Sequence, residues 1–89
     1  MGNATLIIRN RLGLHARAAA QLVQTAARFD AEISIQKDDQ VVNGRSIMGI
    51  MTLAAEQGSE IDVSTSGPEA EAALDAIRAL VDARFNESE

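Results

Sequence analysis

The sequence predicts an α+β fold: an open sandwich in which helices cover one face of a four-stranded sheet. Three observations predict it. The hydropathy pattern switches between period two and helical spacing in the order strand, helix, strand, strand, helix, strand, helix. The connections between these segments are short, and no repeat or linker interrupts them. The strands lean polar on one face, as in a sheet with one side left to solvent. The order of the strands in the sheet does not follow from this pattern alone.

Each element has its own warrant. Ala4 to Arg9 alternates as a strand, with Ala4, Leu6 and Ile8 on one face. Asn10 to Leu14 is a loop punctuated by Gly13. Ala16 to Phe29 is a helix: Ala19, Leu22, Val23, Ala26 and Ala27 recur at helical spacing, and its alanines have high helix propensity. Glu32 to Lys37 is a half-buried strand carrying Ile33 and Ile35 inward, Asp38-Asp39 turns the chain, and Gln40 to Val42 is its short partner. Asn43-Gly44 breaks that strand, and Ser46 to Leu53 is a short helix with Ser46 as N-cap. Gln57-Gly58 is a turn, and Glu60 to Ser66 alternates through Ile61, Val63 and Thr65. Pro68 suits the first position of a last helix, with Glu69 and Glu71 at its positive end. That helix runs to about Arg84-Phe85 and buries Ala70, Ala73, Leu74, Ile77, Leu80 and Val81; the polar tail Asn86 to Glu89 is expected to fray.

Composition bounds the function. Eighty-nine residues make one expected domain, 1–89, in which about 60% of the unfolded chain's surface can be buried. The 46% apolar and 24% charged content is that of a globular chain rather than a disordered one. There is no cysteine and a single histidine, so thiolate and multi-histidine metal sites are excluded, and no cofactor is expected. No apolar run spans a membrane, and the start of the chain lacks the order of a signal peptide, so a cytoplasmic protein is expected. A net charge of −5 and two aromatics argue against a nucleic-acid binder. The charge is uneven. Met1 to Phe29 holds four arginines and no acid, +4; the remainder holds thirteen acids against Lys37, Arg45, Arg78 and Arg84, −9. An arginine-rich first third suits an anionic partner or ligand.

The informative stretch is Gly13-Leu14-His15-Ala16-Arg17. A lone histidine is by default a surface residue without a role, and Arg17 a solvated helix arginine. Yet His15 occupies a helix start, where Ser, Thr, Asp or Asn serve better, and a local rule broken there points to function. The helix N-terminus offers unpaired N–H groups and partial positive charge. Its field disfavours the imidazolium, so a neutral, nucleophilic ring is expected near pH 7. A phosphoryl group on that ring could be received by the N–H groups of Ala16 and Arg17 and by the Arg17 guanidinium. Such a site needs neither a metal nor a nucleotide pocket, and the sequence contains no Walker-type loop. Ser46 is first a helix cap, and second a residue whose phosphorylation would add about −2 charge beside its helix. Ile47, Met48, Gly49, Ile50 and Met51 cannot all face the core from a two-turn helix, so some must be exposed.

These residues resemble the histidine-containing phosphocarrier family, HPr, of the phosphoenolpyruvate-dependent phosphotransferase system. Gly13-Leu14-His15-Ala16-Arg17 is similar to its active-site motif, and Val42-Asn43-Gly44-Arg45-Ser46-Ile47-Met48-Gly49-Ile50-Met51-Thr52-Leu53 to the signature around its regulatory serine. The two motifs stand at the family's separation, and the likeness covers nearly the whole chain. The resemblance implies an open-faced β-sandwich, a four-stranded antiparallel sheet with three helices on one face. It implies that His15 accepts a phosphoryl group on Nδ1 from phosphorylated enzyme I and donates it to an enzyme IIA domain, with Arg17 assisting. A carrier of this kind is a stoichiometric relay rather than an enzyme. Ser46 would be the target of a kinase/phosphorylase. Leu14, Ala20, Gln21, Gln24, Ile47, Met48 and Met51 would form the docking face, on a chain expected to act as a monomer.

The family usually has proline where this chain has Ala18. Alanine keeps the helix but restores an N–H that proline lacks, which puts the fine geometry of the phosphate cradle at issue. Phe29-Asp30-Ala31-Glu32-Ile33 and the acidic end resemble the nitrogen-branch members, and the full Ser46 signature the sugar branch, so the branch stays open. The rival reading is a regulatory binding module governed by Ser46 phosphorylation, without sugar transport; the joint presence of His15 and Arg17 weighs against it.

Overall fold

The computed structural model describes residues 2–87. The elements are β1 (Gly2–Ile7), α1 (Ala16–Ala26), β2 (Glu32–Lys37), β3 (Gln40–Asn43), α2 (Ile47–Thr52), β4 (Glu60–Ser66) and α3 (Ala70–Asp82), followed by a tight turn, Arg84–Asn86. The four strands form one sheet in the order β1-β4-β2-β3. Every pairing is antiparallel. The fold is the open-faced α+β sandwich expected.

Register explains why one face is dry. Ala4 and Ile35 both stand opposite Val63, Leu6 opposite Ile61, and Ile33 opposite Thr65. Period-two geometry sends all of these to the same side of the sheet. There they meet Ala18, Ala19, Leu22 and Ala26 of α1, Ile50 of α2, and Ala73, Leu74, Ile77 and Val81 of α3 in one continuous core. The other face carries Asn3, Thr5, Glu32, Ser34, Gln36, Glu60 and Asp62, with Thr5 donating to Asp62 across strands at 2.6 Å. Alanines at positions 18, 19 and 26 are all fully buried, which lets α1 lie close to its neighbours.

Element boundaries differ from expectation for local reasons. β1 starts at Gly2 and stops at Ile7 rather than Arg9, although Ile8 is fully buried and bonds to Ser59 and Gly58 across the neighbouring loop. α1 stops at Ala26, three residues before Phe29, because Arg28 and Phe29 donate to Thr25 and Ala26, tightening the end to i→i−3 turns. Ala27, expected inward, is therefore exposed. β3 gains Asn43, and α2 lies inside the expected span, between its caps Ser46 and Leu53. Pro68 is not the first helical residue: α3 begins at Ala70 with Glu69 at the N-cap. Glu69 instead ties this end to the loop after α1, accepting from Asp30 N at 2.7 Å and donating its own N–H to Asp30 O at 3.1 Å. Arg45 is a second strut to that loop, with Nη2 donating to Phe29 O at 2.8 Å and Ala31 O at 3.0 Å. Leu80, expected in the buried stripe, is only half-buried.

The largest difference lies after α3. The helix ends at Asp82, and Arg84, Phe85 and Asn86 follow with φ of 57°, 52° and 62°. Three successive side-chain-bearing residues in the left-handed region reverse the chain sharply. Phe85, at 1% exposure, plugs the core at the bend. Within the expected frayed tail, Asn86 and Glu87 make side-chain hydrogen bonds to Gln21, Asn10 and His15; Ser88 and Glu89 lie outside the described residues.

Candidate functional site

The site is built on the loop Asn10–Leu14. Gly13 has φ +69°, and a Cβ there would lie 2.4 Å from the carbonyl oxygen of Ala55. Only glycine fits such a left-handed, tightly apposed position. Next to it, Leu14 N donates to Ala55 O at 2.9 Å, fastening the loop to the segment after α2. Leu14 itself is 5% exposed and packs in the core. Its expected place on the docking face is therefore corrected: an alternating chain path turns Leu14 inward so that His15 can turn outward.

His15 is the N-cap of α1, with extended backbone angles of −77° and −179°. Its Nδ1 accepts from the backbone N–H of Arg17 at 3.3 Å, taking the part a serine oxygen would take. The ring is half-buried, and Arg17 is exposed beside it. Ala16, the first helical residue, contributes an N–H with no intrahelical partner. The structure thus brings His15, Ala16 and Arg17 together at one helix start.

Sequence reasoning missed two members of the site. Glu87 Oε2 lies 2.5 Å from His15 Nε2, across 72 residues of chain. Asn10, fully buried, donates from Nδ2 to Gly13 O at 2.7 Å and to Glu87 Oε1 at 3.1 Å. Glu87's carboxyl is held below its ordinary range. Burial, the largest single influence, pushes it up; hydrogen bonds from His15 and Asn10, with the charges of His15 and Arg17, together outweigh burial. The start of α1 lies against Nδ1 of the ring, and the Glu87 carboxylate, which the sequence did not suggest, lies against Nε2. The only hint in the sequence was an acidic residue just past the last helix, which carries no local signal.

Ser46 caps α2, with Oγ accepting from Gly49 N at 3.0 Å. A Cβ on Gly49 would stand 3.1 Å from that Oγ, so the glycine keeps the cap accessible. Along α2, Ile50 is fully buried while Ile47, Met48 and Met51 are 40%, 74% and 39% exposed. On α1, Ala20 and Gln21 are half-buried and Gln24 exposed. Gln21 and Gln24 line a groove between α1 and α3, where Asn86 donates to Gln21 at 3.4 Å. Leu12, at 67% exposure, is a further exposed apolar residue, on the loop that precedes His15, that periodicity did not single out. Among the described residues no cluster of side chains could hold a metal ion, and no helix is long and apolar enough to cross a membrane.

Comparison with known proteins identifies the family and the fold. Residues 3–83 match the family model described as PTS HPr component phosphorylation site. The chain is 47% identical over 83 residues to the phosphocarrier protein HPr of Treponema pallidum, covering 93% of this chain and 94% of that one. It is also 47% identical over 81 residues to the phosphocarrier protein NPr of Shewanella violacea, covering 91% and 89%. Its structure superposes on HPr-C-His from Thermoanaerobacter tengcongensis with a TM-score of 0.96, at 43% identity and full coverage of both chains. With a helix-capping histidine on this sheet and relatives matched nearly end to end, the chain belongs to the HPr family of phosphocarrier proteins of the phosphotransferase system.

Proposed function

We propose that His15 is the phosphoryl acceptor and donor of this phosphocarrier, charged by phosphorylated enzyme I and discharged onto an enzyme IIA domain. The observation that carries this reading is the Nδ1 atom facing the first N–H groups of α1. An acceptor in that place has its lone pair in the field of a helix N-terminus, where an arriving dianion is favoured. The Nδ1 lone pair attacks phosphorus as the donor's N–P bond breaks, and that bond's electrons return to the donor. The Arg17 N–H then passes from Nδ1 to a phosphoryl oxygen, joined by the Ala16 N–H and the Arg17 guanidinium. Discharge is the same sequence reversed, so the protein is a carrier that turns over only with its partners.

Ser46 is the regulatory position in this reading. A phosphate on its Oγ adds negative charge beside the exposed Ile47, Met48 and Met51, which with Ala20, Gln21, Gln24 and Leu12 form the face offered to partners. Incubation with enzyme I and phosphoenolpyruvate should place one acid-labile, base-stable phosphate on the wild-type protein. His15→Ala should take up none. Equal labelling of the two proteins refutes the assignment.

A further inference from the structure

Glu87 is an unusual residue to find at this site, and its route there is unusual too. Arg84, Phe85 and Asn86 all have positive φ, a conformation that residues with side chains adopt at a cost. Phe85 anchors the bend in the core, and two residues on, the Glu87 side chain is 12% exposed and in contact with His15. Asn10 completes the arrangement at a further cost. It is fully buried, and its Oδ1 has no partner among the described residues, while Nδ2 serves Gly13 and Glu87. Strained backbone and an unsatisfied buried amide persist where they hold something in place.

We infer that Glu87, delivered by the left-handed turn and held by Asn10, is a positioning residue for the phosphoryl step. The inference rests on His15 being the phosphoryl acceptor. The hydrogen bonds fix its logic. Arg17 N–H can donate only to an unprotonated Nδ1. The proton of the uncharged ring then sits on Nε2 and is donated to Glu87 Oε2. That tautomer leaves the lone pair on the nitrogen facing the helix start. As Nδ1 bonds to phosphorus, the ring keeps its Nε2 proton and gains positive charge, which the carboxylate faces directly. The same charge on the phosphorylated ring makes it a better leaving group for discharge.

Asn10 gives the test a sharp form. In Glu87→Gln the amide oxygen must accept from Asn10, which turns the amide nitrogen toward His15 as a donor. Nε2 then becomes the acceptor, and the proton moves to Nδ1. The experiment uses ¹⁵N-histidine-labelled full-length protein and potassium phosphoramidate, a donor that needs no partner protein. In that reaction the new N–P bond forms at Nδ1 as the phosphoramidate P–N bond breaks and ammonia leaves. Wild type should show the Nε2–H tautomer at neutral pH. E87Q should show Nδ1–H and take up phosphate on the order of a hundredfold more slowly, the low end for a positioned proton-holding group. A wild-type ring carrying its proton on Nδ1, or E87Q charged at the wild-type rate, overturns the inference. A wild-type protein that takes no phosphate sinks the carrier reading instead, and its tautomer still decides where Glu87 directs the proton.

Discussion

Replacing Gly13 by alanine tests how the loop sets the helix start. Gly13 has φ +69°, and an added Cβ would lie 2.4 Å from Ala55 O and 3.0 Å from Glu56 Cα, both backbone atoms. The left-handed conformation alone costs an alanine about 1–2 kcal/mol. Forcing a methyl group against backbone adds about 1–3 kcal/mol. The lower entropy of the unfolded alanine chain offsets about 0.4–1 kcal/mol of this. The net loss should be about 3 kcal/mol, a fall in melting temperature of about 15 °C for a chain of this size. The loop relieves the clash by moving away from Ala55, which breaks the Leu14 N to Ala55 O bond and shifts His15 from the start of α1. Urea unfolding gives the first quantity, and the Arg17 and Ala16 amide shifts the second. A loss below about 1 kcal/mol, with those shifts unchanged, refutes the argument that backbone apposition at Gly13 positions the histidine.

Four further outcomes follow from the same geometry. Because the folded Glu87 carboxyl ionises below its unfolded range, its contribution to stability is present above the unfolded value and lost as pH falls through the folded one. Acid melts should therefore lose more stability in wild type than in Glu87→Gln, and parallel curves contradict this. Ser46→Ala removes the Oγ cap on Gly49 N and should cost about 1 kcal/mol. Ser46→Asp keeps the cap, so its melt should match wild type while calorimetry at low salt shows weaker binding to enzyme I; unchanged affinity counts against the docking face. Phe85→Ala empties a fully packed site and should cost about 3–5 kcal/mol, freeing Glu87 from His15; a loss under about 2 kcal/mol would show that Phe85 does not anchor the turn.

The sheet was legible because burial on one face imposes alternation, and Ile33, Ile35, Ile61 and Val63 carry it openly. His15 was legible because it sits where another residue type caps better, and Ser46 because it is that better type. The end of α1 was overestimated because Ala27 and Phe29 continue the helical spacing that the Thr25 and Ala26 turns cut short. Leu14 was misplaced because adjacency to a functional residue says nothing about which way a loop side chain points. Asn10 and Glu87 were missed because their contacts join opposite ends of the chain. The left-handed turn that brings them together uses Arg84, Phe85 and Asn86, none of them the glycine that usually marks such a turn.

The most direct test of the account is the position of the phosphorus atom. After charging of ¹⁵N-labelled protein by enzyme I and phosphoenolpyruvate, one-bond ³¹P–¹⁵N coupling should appear at Nδ1 of His15 alone. Coupling at Nε2, or phosphorus bonded to Ser46 with His15 bare, would contradict it.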